Sequence, residues 1–292
     1  MSATAAVEVF ARVGCALGEG PIWCAERTSV LWVDLEVGHV WESSLAGDAR
    51  VIVERDEPIG AIALGQGGEL LGFTPSGLWR LDGTPTLLVP APEPDPALRA
   101  NDGKPDPAGR FVGGTMGRTW PVGPVGTLWS YAGGTAQPLR RGTTVSNGLA
   151  WTADTTTMYW ADSGTRAITA FPYDVASGAI GEARPFVVVD GDDRGPDGIT
   201  IDADDCVWVA VWGGGCLHRY APDGELLDVV ELPVAHPTCP VFAGPDLDVL
   251  LVTSAYAPGR NPQVTGAGDV FALRPRVGGR PPWRVDLSLL LG

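Results

Sequence analysis

Three short motifs, Gly18-Glu19-Gly20-Pro21, Ser146-Asn147-Gly148 and Pro196-Asp197-Gly198-Ile199, stand at the same point of a strand-rich unit that recurs along the 292-residue chain. Aligned by eye, the equivalent points are Glu19, Gly60, Asn101, Asn147, Asp197 and Cys239, with steps of roughly 41, 41, 46, 50 and 42 residues. A period of this size is the mark of a repeat array, in which no unit buries its own apolar faces and each is covered by its neighbours.

The fourth unit is the most regular. Gly148-Leu149-Ala150-Trp151 reads as a strand, Ala153-Asp154-Thr155 as a turn, and Met158-Tyr159-Trp160-Ala161-Asp162 and Ala167-Ile168-Thr169-Ala170-Phe171 as two further strands. The fifth repeats the pattern through Gly198-Ile199-Thr200-Ile201, Val207-Trp208-Val209-Ala210 and Leu217-His218-Arg219-Tyr220. Four strands per unit and six units predict an all-β, six-bladed β-propeller occupying residues 1–292 as a single domain. A two-sheet sandwich is the alternative, and the regular period argues against it. Ring closure is expected from Val7-Glu8-Val9-Phe10 joining the last unit near Trp283-Arg284-Val285-Asp286-Leu287.

In a propeller the innermost strand of every blade starts near one axis, so residues distant in sequence converge there. Glu19, Asn147 and Asp197 would then present two carboxylates and an amide oxygen at the mouth of the central channel. These are hard donors, and the set suits one divalent cation that keeps open positions for water or substrate. Ca²⁺, Mg²⁺, Mn²⁺, Fe²⁺ and Zn²⁺ are all compatible with oxygen ligands. Cys239 occupies the corresponding point of the sixth unit and is read as a buried thiol. Asn-Gly and Asp-Gly are also hairpin dipeptides, which gives each motif singly a turn reading.

Other chemistries find little support. His39, His218 and His236 lack metal-ligand spacing, and no Gly-x-Ser-x-Gly elbow is present. Asp202-Ala203-Asp204 lacks the remainder of a calcium loop and reads as a hairpin turn. The five cysteines show no Cys-x-x-Cys pair, so neither a disulfide framework nor a zinc knuckle is expected. A net charge of −15 disfavours nucleic acid and anionic membranes as partners. No apolar run reaches the length of a membrane span and the first eight residues do not read as a signal peptide, so a cytoplasmic location is expected. The oligomeric state is left open.

These motifs, together with Arg99-Ala100-Asn101-Asp102-Gly103-Lys104, Asp106-Pro107-Ala108-Gly109-Arg110, Gly114-Thr115-Met116 and Tyr159-Trp160-Ala161-Asp162-Ser163, occur in an order that resembles the SMP-30/gluconolactonase/luciferin-regenerating family. That family includes regucalcin and sugar-acid lactonases, and the resemblance spans nearly the whole chain. It implies one divalent metal ion on Glu19, Asn147 and Asp197, with Asp197 also orienting or deprotonating water. It further implies substrate contacts from Arg99 and Asn101, whose guanidinium fork and amide suit a polyhydroxylated ring. Lys104 is expected in a turn with a structural or solvent role.

The chain departs from some animal members at Thr119, where they carry an acidic substrate contact. The adjoining Trp120 reads equally as a sugar-stacking or a packing residue. The resemblance thus implies metal-dependent hydrolysis of an aldonolactone, such as a glucono- or xylonolactone, with a small-molecule lactone as partner. A phosphotriester hydrolase and a non-catalytic calcium-binding or interaction propeller are the alternatives.

Overall fold

Aromatic and β-branched runs separated by Gly, Asp and Pro turns become short antiparallel strands, and consecutive strands form six sheets in chain order. The structure, a computed structural model, describes residues 6–120, 122–256 and 265–292. The sheets are the blades of a six-bladed β-propeller. Their first strands are Gly18–Cys24, Ala61–Leu64, Leu98–Pro105, Ser146–Trp151, Gly195–Ile201 and Pro237–Ala243. Each of these touches the first strands of both neighbouring blades, which closes a ring around the axis.

Burial follows this radial order. Ser146–Trp151 is buried at every residue, whereas the fourth strands Arg50–Glu54 and Leu226–Glu231 are largely exposed or half-buried. The apolar core is divided among the interfaces between blades. Phe73 of blade 2, for instance, meets Phe111 and Tyr131 of blade 3 with ring centroids 5.3 and 5.7 Å apart. Such offset and edge-on packing is the favoured aromatic geometry.

Closure differs in one respect from the sequence expectation. Glu8–Ala11 does complete the sixth blade, but it pairs with Val270–Leu273, in the register Glu8 to Ala272 and Val9 to Phe271. Residues 283–287 take no part in that sheet. Pro281 and Pro282 have no N–H to offer a ladder, so the chain leaves the blade before them. It then crosses the end of the propeller opposite the starts of the inner strands. There Val285 bridges Gly65 of blade 2, and the helix Leu287–Leu291 lies on blade 3 with Asp286 as its N-cap.

Two buried carboxylates tie turns at that same end. Asp106 accepts from the backbone N–H groups of Ala108 and Arg110, from Arg110 Nη1 at 2.8 Å and from the Tyr173 hydroxyl, linking blades 3 and 4. Asp202, in the expected hairpin turn, accepts from the Trp208 indole and from Arg219 Nε within blade 5.

Candidate metal and substrate site

Asn147-Gly148 and Asp197-Gly198 do not make hairpin turns. They lie within the inner strands, at bulges. Strand register slips between Glu19 and Ile22, Ala100 and Gly103, Ser146 and Leu149, Pro196 and Ile199, and Pro237 and Pro240. Each slip coincides with a motif point. A bulge inserts an unpaired residue and re-aims the side chains around it, which frees Glu19, Asn101, Asn147 and Asp197 from the blade interfaces. Blade 2 has no bulge, and Gly60 precedes its inner strand.

The glycines after Asn147 and Asp197 are required by close approach. A Cβ on Gly148 would stand 2.6 Å from the Asp197 carbonyl oxygen, and one on Gly198 would stand 2.3 Å from Cys239 Sγ. Neighbouring inner strands can therefore come this close only without a side chain.

Acidic residues at the ends of the second strands fix the segments that lead into two of these points. Asp34 accepts from the N–H groups of Ala16 and Leu17, both at 3.0 Å, ahead of Glu19. Asp162 likewise accepts from Thr144 and Val145, at 2.9 and 2.8 Å, ahead of Asn147. The amide of Asn147 is oriented in turn by Nδ2 donating to Ser163 Oγ at 3.0 Å, and that hydroxyl donates to the Pro196 carbonyl. The amide oxygen is thus left facing away from Ser163.

Glu19, Asp102, Asn147 and Asp197 are all buried, and Asn147 Oδ1, Asp197 Oδ1 and Asp102 Oδ2 have no hydrogen-bond partner. Leaving buried oxygens unsatisfied is costly. Burial first, and the field of Asp102 next, push the Glu19 carboxyl up to about 8. Burial, Glu19 and Asp102 drive Asp197 well above the usual carboxylate range. Buried acids that repel one another, with an unpartnered oxygen on each of Asp102, Asn147 and Asp197, are the donor set a divalent cation would satisfy. The residues present fit such an ion. Among the described residues no group of three or more His, Cys, Asp or Glu side chains is arranged to hold a metal.

This electrostatic arrangement has a pH signature. Glu19 is raised in the folded chain from an ordinary value near 4.5 to about 8. Its stabilising protonation is complete below the lower value and is lost as pH rises through the higher one. Metal-free Glu19→Gln should therefore gain stability over the metal-free parent from pH 5 to pH 9. Thermal melts across that range check this, and a constant difference would refute it.

Arg99 and Asn101 sit beside this set. Arg99 Nη1 donates to Asn101 Oδ1 at 2.6 Å and to the Ala100 carbonyl at 3.0 Å, while Asn101 Nδ2 donates to the Ser146 carbonyl at 2.8 Å. Asn101 is thereby tied at both ends and holds the guanidinium. Burial lowers the Arg99 pKa, with Glu36 and then Glu19 opposing that shift.

Sequence reasoning missed several members. Lys104 lies in the inner strand of blade 3 rather than in a turn, and its Nζ donates across the channel to the Ile199 carbonyl. Asp102 was passed over, although it is one residue from Asn101 in the bulge that aims both. Ser163 follows the acidic clamp at Asp162, and only the fold brings it to Asn147. Cys239 is fully buried, as expected, and burial raises its thiol well above the usual range.

His236 packs on Trp212 with centroids 4.3 Å apart, and His218 pairs through Nδ1 with the Tyr220 hydroxyl. Trp120 is 65% exposed in the segment after the second strand of blade 3, and Pro121 of the expected loop lies outside the described residues. Two cavities adjoin the site residues. One of 180 Å³ lies between blades 2 and 3 and includes Arg99. The other, of 130 Å³, lies in the channel and is lined by Lys104, Ile201 and Trp283. Among the described residues no helix is long and apolar enough to cross a membrane.

Comparison with known proteins agrees with this architecture. A pentonolactonase of Haloferax volcanii is 32% identical over 282 residues, covering 94% of this chain and 96% of the relative. A regucalcin of Xenopus laevis is 35% identical over 250 residues, covering 82% and 83%. The crystal structure of a calcium-binding protein, regucalcin, from Agrobacterium tumefaciens superposes with a TM-score of 0.89 at 30% identity, covering 97% of both chains. The sequence profile of the SMP-30/gluconolactonase/LRE-like region matches residues 17–256, and with these relatives it places the chain in the SMP-30/gluconolactonase/LRE-like family.

Proposed function

We propose that this protein hydrolyses a sugar-acid lactone with the help of one divalent metal ion, held by Glu19, Asn147 and Asp197. The observation that carries the reading is the set of buried, unpartnered oxygens beside an arginine held for a ligand. The name of the Haloferax relative supports the lactone as substrate class, and that of the Agrobacterium neighbour supports a divalent ion. Calcium binding without catalysis would leave the Arg99–Asn101 pair without a task.

When bound, the ion would supply Lewis-acid polarisation and lower the pKa of water at the site. The chain's own residues then have distinct tasks. Arg99, held by Asn101 and the Ala100 carbonyl, keeps its remaining N–H groups for substrate oxygens. Asp197 would orient the attacking water, take its proton and pass it to the ring oxygen. Water oxygen bonds to the lactone carbonyl carbon, the ring C–O bond breaks, and the ring oxygen leaves as a hydroxyl after receiving a proton.

The test is an initial-rate assay on gluconolactone and pentonolactones, with spontaneous opening subtracted at each pH. Exhaustive chelation should reduce the rate to background, and a divalent ion should restore it. Full activity in demetallated protein would overturn the reading.

A further inference from the structure

Arg118 opens the segment that follows the second strand of blade 3, one residue beyond the ladder that pairs Leu98 with Gly117 and Arg99 with Met116. In the ladder Arg99 stands opposite Met116, and the Arg118 backbone N–H donates to Ala97 O at 2.9 Å. Side chains alternate between faces with a period of two, so Met116 and Arg118 share a face and Arg99 projects from it as well. Arg118 Nε donates to the Leu98 carbonyl at 2.9 Å, which folds the guanidinium back over the start of the inner strand.

Two cations in this relation repel each other, and the repulsion is felt: Arg118 disfavours the charged form of Arg99. Among the described residues neither guanidinium forms an ion pair with a carboxylate. On a chain of net charge −15 carboxylates are plentiful, yet none is paired with either group. Glu36, from the loop of blade 1, acts on Arg99 through space, as do Glu19 and, more weakly, Asp197. With Glu19 and Asp197 committed to the proposed divalent ion, the two guanidiniums and Glu36 leave an excess of about one positive charge, which suits a carboxylate better than a phosphate ester carrying roughly two negative charges.

We propose that Arg118 and Arg99 form a carboxylate subsite, so that the preferred substrate is a lactone bearing a second, free acid group, as in the monolactone of a sugar diacid. This rests on the lactonase reading and names its substrate class. Arg118 is then the specificity-determining residue. Arg99 serves the ring and the anion, and Thr119 leaves the position next to them without the negative charge that would repel such a substrate.

The test compares metal-loaded wild type, Arg118→Gln and Arg118→Lys on two lactones of equal ring size, one neutral and one with a terminal carboxylate. Wild type should favour the charged lactone by roughly tenfold or more in kcat/KM, chiefly through KM. Arg118→Gln should cut that preference about tenfold, Arg118→Lys should retain part of it, and added salt should weaken it in wild type. A preference for the neutral lactone, or one untouched by Arg118→Gln, overturns the proposal. Calorimetric binding of the open sugar diacid separates this inference from the lactonase reading. Roughly tenfold weaker binding by Arg118→Gln supports the subsite even if neither lactone is turned over, and equal binding refutes it.

Discussion

Asp197→Ala should lower divalent-ion affinity by roughly 100-fold or more and kcat/KM on a lactone by about 1000-fold, while the metal-free variant melts at a higher temperature than its parent. The opposition of the two effects follows from the site. Asp197 is buried, is repelled by Glu19 and Asp102, and has an unpartnered Oδ1. It costs stability until a cation arrives, and its removal relieves that cost. Asn147→Ala removes a neutral donor and should weaken the ion less, by roughly 10- to 100-fold. Calorimetric titration and thermal melts of chelated protein measure both arms. Unchanged affinity in both variants would eliminate the site, and a lower melting temperature for metal-free Asp197→Ala would show that the carboxylate supports the fold.

Asp106→Ala should do the reverse, destabilising the protein by about 3–5 kcal/mol while leaving ion affinity intact in the folded fraction. The carboxylate is fully buried and neutralises Arg110, whose guanidinium also donates to the Val175 and Ala176 carbonyls of blade 4. Without Asp106 a buried cation, the Tyr173 hydroxyl and two backbone N–H groups lose their acceptor together. Urea denaturation reads the loss directly. A change below about 1 kcal/mol would mean that water replaces the carboxylate, as at an exposed pair.

The two variants also mark what was legible in the sequence. The period placed Glu19, Asn147 and Asp197 at equivalent points, and a propeller turns equivalent points into neighbours, so fold and candidate ligands were read together. The mechanism of convergence was hidden, because a bulge and a hairpin turn both favour Asn-Gly and Asp-Gly. Lys104 was misplaced for the same reason: Asp102-Gly103 suggested a turn where the strand only slips register. Asp102 and Ser163 act through burial and contact across blades, which no local pattern encodes. The partner of the first strand went unread because the alternating run Trp283-Arg284-Val285-Asp286-Leu287 looks like a strand, and the two prolines before it carry the contrary signal.

The glycine contacts around the axis bear on which ions the proposed site would tell apart. The backbone of one blade rests against the carbon of Gly148, where a methyl group would press on the Asp197 carbonyl oxygen at 2.6 Å. The gap between two oxygen donors is therefore gauged by the absence of a side chain that belongs to neither. Gly148→Ala deletes no ligand and alters no charge, yet it would wedge the Asp197 strand outward and enlarge the space between donors. Oxygen distances near 2.1 Å suit magnesium and near 2.4 Å suit calcium, a difference of about 0.3 Å. In the proposed site, selection by ionic radius would thus be set by packing between blades, and it could drift while every candidate ligand stays the same.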